Sequence, residues 1–157
     1  MITQGATLPE ATLSSLVNGE MTTFHTTQLF DGKKVVLFAV PGAFTPTCSH
    51  AHLPGFVALA DKIKAKGVDT IICLSVNDAF VMDAWSKQSN AEEILMLSDG
   101  NGEFTQKIGL DMDTDTFGGL RSLRYSMLIV DGVVQKINVE DPGRFEVSDA
   151  ETMLKLL

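Results

Sequence analysis

The sequence predicts an α/β fold, in which a mixed sheet is covered by helices on both faces and extended at its N-terminus by a β-hairpin. Three observations carry this. Short apolar runs at 35–40, 71–74 and 94–97 suit strands buried on both sides. Stretches with apolar residues at helical spacing lie between and after them. Two-residue turn signals, Asn18-Gly19 near one end and Asp131-Gly132 near the other, each mark a hairpin. At 157 residues the chain fits one domain, 1–157, large enough to bury roughly two-thirds of the surface that its unfolded form exposes.

Residues 8–17 alternate loosely and turn at Asn18-Gly19 into 20–24, which makes the N-terminal hairpin. A helical turn over 27–30 and a loop at Asp31-Gly32 lead to Val35-Val36-Leu37-Phe38-Ala39-Val40, a strand with no polar face. Leu53, Phe56, Leu59, Ala60 and Ile63 then define a helix over 49–66 that Gly67 ends. Pro54 lies inside it, so a kink is expected there, or a first turn set off from the rest. A second buried strand covers 68–76. Asn77-Asp78 can cap a helix over 79–89 whose apolar stripe is Phe80, Val81, Ala84 and Trp85. A third strand at 94–97, a turn at 98–102 and a short helix over 103–108 follow. The stretch 111–123, with three aspartates and two adjacent glycines, reads as a loop. Strands at 125–130 and 133–139 and a last helix through 157, capped by Ser148 with Glu151 three residues on, complete the chain. The order of elements matches a thioredoxin-like fold with an N-terminal extension.

Composition narrows the function. Twelve Lys and Arg against 20 Asp and Glu leave a formal net charge of −8, and the chain lacks the basic field that nucleic-acid binding requires. No apolar run approaches the length of a membrane span. The first residues show no basic segment followed by an apolar core, so a cytoplasmic protein is expected. Two cysteines without a C-x-x-C pattern fit a reducing compartment, and they also disfavour dithiol-disulfide exchange.

The stretch Val40-Pro41-Gly42-Ala43-Phe44-Thr45-Pro46-Thr47-Cys48 turns the first buried strand into a helix and places Cys48 near that helix's first turn. Unpaired backbone N–H groups and the positive end of the helix dipole gather there, and both favour a thiolate. A free thiol with pKa near 8.5 is only about 3% ionised at pH 7, and bringing one to about 6 takes roughly 3 kcal/mol. A helix terminus supplies at most about 2 kcal/mol, so a cation has to contribute. Arg121 and Arg124 compete for that role. His52 shares a helical face with Cys48, whereas His50, two residues from it, points elsewhere. We therefore read His52 as packing beside the site and His50 as surface, with no metal site and no cofactor.

Pro41-x-x-x-Thr45-x-x-Cys48 resembles the peroxiredoxin signature, and the fuller Pro41-Gly42-Ala43-Phe44-Thr45-Pro46-Thr47-Cys48-Ser49 resembles the type II, peroxiredoxin-5-like subgroup. His52-Leu53-Pro54-Gly55-Phe56, Ser75-Val76-Asn77-Asp78-Ala79-Phe80-Val81-Met82 and Arg124-Tyr125-Ser126-Met127 extend the likeness over nearly the whole chain. The resemblance implies a thiol peroxidase that reduces hydrogen peroxide and organic hydroperoxides through a sulfenic acid on Cys48. Arg124 is then the matching cation and Thr45 the hydroxyl facing peroxide and sulfur, with Pro41, Phe44 and His52 lining the pocket. It also implies a homodimer, with Phe44 and the Phe117-Gly118-Gly119-Leu120 segment as the apolar patch. A non-enzymatic peroxide sensor or redox relay using Cys48 is the competing expectation.

For Cys73, 25 residues after Cys48, two roles stay open. The spacing resembles subgroup members whose second cysteine resolves the sulfenic acid, yet its apolar neighbours suit a buried packing residue. No third cysteine stands near the C-terminus, and no glutaredoxin module is expected after Leu157. The reductant is therefore expected in trans, as glutaredoxin with glutathione, or thioredoxin.

Overall fold

The central strands are buried on both faces, and the face to which successive side chains point alternates, which decides where everything else packs. The computed structural model describes residues 1–157. In chain order the strands are β1 (Thr12–Val17), β2 (Glu20–His25), β3 (Lys34–Ala39), β4 (Thr70–Ser75), β5 (Leu95–Ser98), β6 (Asp111–Asp113), β7 (Leu120–Ser122), β8 (Tyr125–Val130) and β9 (Val133–Val139). The helices are α1 (Thr26–Phe30), α2 (Leu53–Lys64), α3 (Ala79–Gln88), α4 (Glu103–Lys107) and α5 (Ala150–Lys155). From β3 and β4, Val36, Phe38, Ile71 and Cys73 point to one face of the sheet, while Val35, Leu37, Ile72 and Leu74 point to the other. Leu53, Phe56 and Ile63 of α2, Met82 and Trp85 of α3 and Met153 of α5 cover the first face. Leu29 and Phe30 of α1 and Phe104 of α4 cover the second. This is the predicted mixed sheet with helices on both faces.

Seven strands pair in the order β2-β1-β5-β4-β3-β8-β9. β3, β4 and β5 run parallel, and β8 lies antiparallel to β3 with Ala39 opposite Tyr125. The end of β3 therefore meets the beginning of β8, which brings the chain after residue 39 beside the chain before residue 125. The N-terminal hairpin joins the far edge through Ser14 and Ser98. Both of its turn residues, Asn18 and Gly19, have positive φ (50° and 80°), as a two-residue turn of this hand requires.

Three expectations need correction. The 111–123 loop contains a separate hairpin, β6 with β7, that pairs Met112 with Arg121. Its strands are three residues long, with exposed aspartates at both ends of β6, so no alternation marks them. The buried stripe of α3 is Ala79, Met82 and Trp85, while Phe80 is 65% exposed. A bond from Trp85 Nε1 to Ser49 Oγ (3.0 Å) is consistent with that rotation. The cap of α5 is Asp149, whose carboxylate accepts from Thr152 N–H, and Ser148 is engaged elsewhere.

Phe38 and Phe56 stack across the β3–α2 interface with centroids 4.0 Å apart and planes within 4°. Both are fully buried. Phe56→Ala should therefore cost about 3 to 5 kcal/mol, read as a lower urea midpoint with little change in slope.

Candidate active site

The strand-to-helix turn after β3 is built from local constraints. Thr45 donates its hydroxyl to Gly42 C=O at 2.6 Å, and Ala43 N–H donates to Asn77 Oδ1 at 3.0 Å. Between them Phe44 takes a left-handed backbone (φ 66°), uncommon for a residue with a side chain. Pro46 then takes the first helical position, where its missing N–H costs nothing, and Ser49 N–H bonds Thr45 C=O (2.9 Å). The helix thus begins three residues before the expected start, and Cys48 lies in its first turn. Residues Cys48–His52 form a π-helical turn in which Leu53 N–H reaches back five residues to Cys48 C=O. Pro54 gives this turn its cause: with no N–H to offer His50, it breaks the regular ladder, and the irregularity sits just ahead of it.

Fully buried, Cys48 accepts a hydrogen bond at Sγ from Arg124 Nη2 at 3.1 Å. The other terminal nitrogen, Nη1, donates to His52 Nδ1 at 2.9 Å. His52 Nε2 lies 2.9 Å from Ser148 C=O. A guanidinium only donates and a carbonyl only accepts, so these partners fix the imidazole as neutral, protonated on Nε2. Phe38, Phe56 and Phe145 surround the ring at 5.0, 5.7 and 5.0 Å between centroids. Burial, and secondly the charge of Arg124, lower the imidazole's pKa from 6.5 to about 3. Arg124 also lies over the Phe145 ring, 5.8 Å from its centroid.

The remaining predicted residues divide. Pro41 joins Thr47, Leu123, Arg124, Glu140 and Arg144 around a cavity of about 110 Å³ next to the sulfur's partner. Thr45 does not line that cavity, and its proton is committed to Gly42 C=O rather than to sulfur, which leaves its lone pairs as the free part of the hydroxyl. Phe44 is 46% exposed and stands at the rim, not in the pocket. His50 is exposed while His52 is buried, so the two point apart. Arg121 does not reach the sulfur: it donates from Nη1 to Pro41 C=O (2.9 Å) and packs over Phe117. A Cβ at Gly42 or Gly118 would run into its guanidinium, so those glycines make its slot. Cys73 sits mid-strand in β4 opposite Phe38, fully buried. Burial, and then its nearness to Cys48, push its thiol well above the ordinary range.

Sequence reasoning missed Glu140 and the true partner of Ser148. The buried Glu140 carboxylate accepts from the N–H groups of Glu146, Val147 and Ser148 and from the Ser148 hydroxyl, at 2.7–3.0 Å. Burial alone would raise its pKa, yet these donors hold it below the usual carboxylate value. All but one of its donors are backbone groups, which every sequence possesses, so no residue pattern could have announced it.

His52 ties stability to pH. The unfolded chain takes up the proton near pH 6.5, the fold only near pH 3, so stability should fall as the pH drops below about 6.5. His52→Asn should flatten this dependence. Urea midpoints at pH 7 and pH 5 should differ less for the variant than for the unaltered chain.

Comparison with known proteins points the same way. The family model described as Redoxin matches residues 3–154. Peroxiredoxin-2E, chloroplastic, of Arabidopsis thaliana is 52% identical over 162 residues, covering 99% of this chain and 69% of that relative. Among solved structures, reduced Prx3 from Vibrio vulnificus in complex with hydrogen peroxide superposes with a TM-score of 0.97 at 63% identity, covering 99% of each chain. Peroxiredoxin 5 from Alvinella pompejana superposes at 0.87 with 36% identity, over 99% of this chain and 97% of the other. A buried cysteine in a helix's first turn with a guanidinium on its sulfur, in a chain this similar to these proteins, leads to one assignment: the chain belongs to the Redoxin family, as a type II, peroxiredoxin-5-like peroxiredoxin, a thiol peroxidase.

Proposed function

We propose that this thiol peroxidase reduces hydrogen peroxide and organic hydroperoxides on Cys48, with Arg124 and Thr45 as the groups that hold the peroxide. The observation that carries the reading is the 3.1 Å bond from Arg124 Nη2 to Cys48 Sγ. A charge-assisted donor on sulfur, added to the helix N-terminus, favours the thiolate. In the reaction the thiolate attacks one peroxide oxygen and the O–O bond breaks. The other oxygen leaves as alkoxide or hydroxide and takes a proton to become alcohol or water. Cys48 is left as sulfenic acid. Negative charge thus moves from sulfur onto the leaving oxygen, where the same guanidinium can follow it. The Thr45 lone pairs, free because its proton goes to Gly42 C=O, accept the peroxide O–H. Pro41 closes one side of the cavity.

The reset step uses an outside thiol. Glutathione attacks the sulfenic sulfur, water leaves, and a mixed disulfide forms. A second thiol, delivered by glutaredoxin and glutathione or by thioredoxin, releases Cys48. The full burial of Cys73 and its raised pKa argue for packing rather than resolution. We place the chain in the cytoplasm, a reducing compartment that suits two cysteines without a C-x-x-C pattern. Exposed Phe44 (46%) and Phe117 (80%) on loops beside the site support a homodimer packed over that rim.

Cys48→Ser should abolish peroxide consumption. Arg124→Ala should lower the rate constant for Cys48 oxidation by about 100- to 1,000-fold. Cys73→Ser should keep glutathione-driven turnover within about twofold. Mass spectrometry after one equivalent of peroxide gives the complementary check: a sulfenate alone, converted to a mixed disulfide when glutathione is present. An internal Cys48–Cys73 disulfide, with turnover lost in Cys73→Ser, would make Cys73 the resolving thiol instead.

A further inference from the structure

The guanidinium that touches Cys48 has no carboxylate partner, since none of the chain's four ion pairs includes Arg124. A closed ring of hydrogen bonds holds it instead. Arg124 Nη1 donates to His52 Nδ1 (2.9 Å), and His52 Nε2 donates to Ser148 C=O (2.9 Å). The Ser148 N–H and hydroxyl donate to Glu140 Oε2 (2.8 and 2.7 Å). Glu140 N–H returns to Arg124 C=O at 2.9 Å. The guanidinium is thus anchored through its side chain and its own backbone by one loop, residues 140–148.

We infer that Glu140 is the positioning residue of this site: it folds the 140–148 loop so that Ser148 C=O fixes the His52 tautomer that in turn aims Arg124 at the sulfur. The inference rests on the roles proposed above for Cys48 and Arg124. Its logic is electrostatic. A carboxylate placed directly on Arg124 would neutralise the charge that the sulfur needs. Placed beyond a neutral imidazole and a peptide carbonyl, it orders the guanidinium and leaves that charge on the sulfur side. The Glu140 carboxylate can do so because five hydrogen bonds converge on it, four of them on Oε2. Aromatic rings occupy the rest of the imidazole's surroundings, so Ser148 C=O is the acceptor that holds its Nε2–H and completes the tautomer that Arg124 requires.

The test is stopped-flow oxidation of the fully reduced chain by hydrogen peroxide. It is followed by the fluorescence of the single tryptophan, Trp85, bonded to Ser49 beside Cys48. Glu140→Gln keeps the size but loses acceptor capacity and should slow oxidation by about tenfold, the scale of a slightly misplaced reacting group. His52→Ala should slow it comparably, and the double variant should be no slower than His52→Ala alone, because both changes cut the same link. Ser148→Ala, which removes only the hydroxyl donor, should slow it less, and again only while His52 is present. The inference is overturned by a Glu140→Gln rate within about twofold of the unaltered chain, or by equal slowing with and without His52. Where Glu140→Gln does not fold, an unchanged Ser148→Ala rate overturns it. Arg124→Ala separates the two readings. If it slows oxidation while Glu140→Gln does not, only this inference fails; if neither does, the proposed role of Arg124 fails with it.

Discussion

Everything in this site follows from setting a buried sulfur against a guanidinium. A buried anion without a partner is costly, and the partner here is a single guanidinium 3.1 Å away. That cation has to stay charged, stay in place and stay uncommitted to any other anion. Arginine meets the first demand by its chemistry. The second and third are met by its surroundings, a neutral histidine on one nitrogen and the face of Phe145 beneath it. The histidine can serve only because it does not ionise: burial and the adjoining cation keep it neutral far below physiological pH. Two cations would otherwise face each other in a dry pocket.

The fold brings sulfur and cation together by register. Cys48 and Arg124 are 76 residues apart in the chain. Pairing of Ala39 with Tyr125 sets the end of β3 against the beginning of β8, so the helix that starts after β3 opens beside Arg124. Slipping that antiparallel pair by one residue would send Tyr125, Met127 and Ile129 to the wrong face of the sheet. The hydrophobic pattern that stabilises the sheet therefore also positions the chemistry, and core packing and reactivity are parts of one constraint.

Much of this was legible in the residues. Continuous apolar runs, the two hairpin turns and helical spacing gave the architecture, since each is a local property of the chain. Cys48 could be singled out because a cysteine at the start of a helix already implies a chemistry, whereas Pro41, Thr45 and Arg124 were marked by the resemblance to the peroxiredoxin signature. What escaped was whatever depended on backbone donors or long-range pairing. Ser148 carries a capping signal, yet Asp149 does the capping and Ser148 turns to Glu140. Glu140 itself looks like an ordinary loop acid beside Asp141-Pro142-Gly143. Arg121 and Arg124 are indistinguishable by composition. The resemblance selects Arg124, and the pairing of β6 with β7 and the glycine slot around Arg121 show how the other is held away from the sulfur.

The arrangement that suits attack on peroxide opposes the step after it. Cys48 has no exposed surface, and the cavity beside Arg124 is only about 110 Å³, below the range of pockets that hold a molecule as large as a tripeptide thiol. A thiol of that size can reach the sulfur only if the first turn of the helix opens. The sequence makes that turn the weak point of the helix. Pro54 offers no N–H to the turn before it, and the π-helical turn leaves the regular ladder exactly where the sulfur is carried. That turn also carries His52, so the ties of Arg124 that do not depend on it are Glu140 N–H to Arg124 C=O and the face of Phe145.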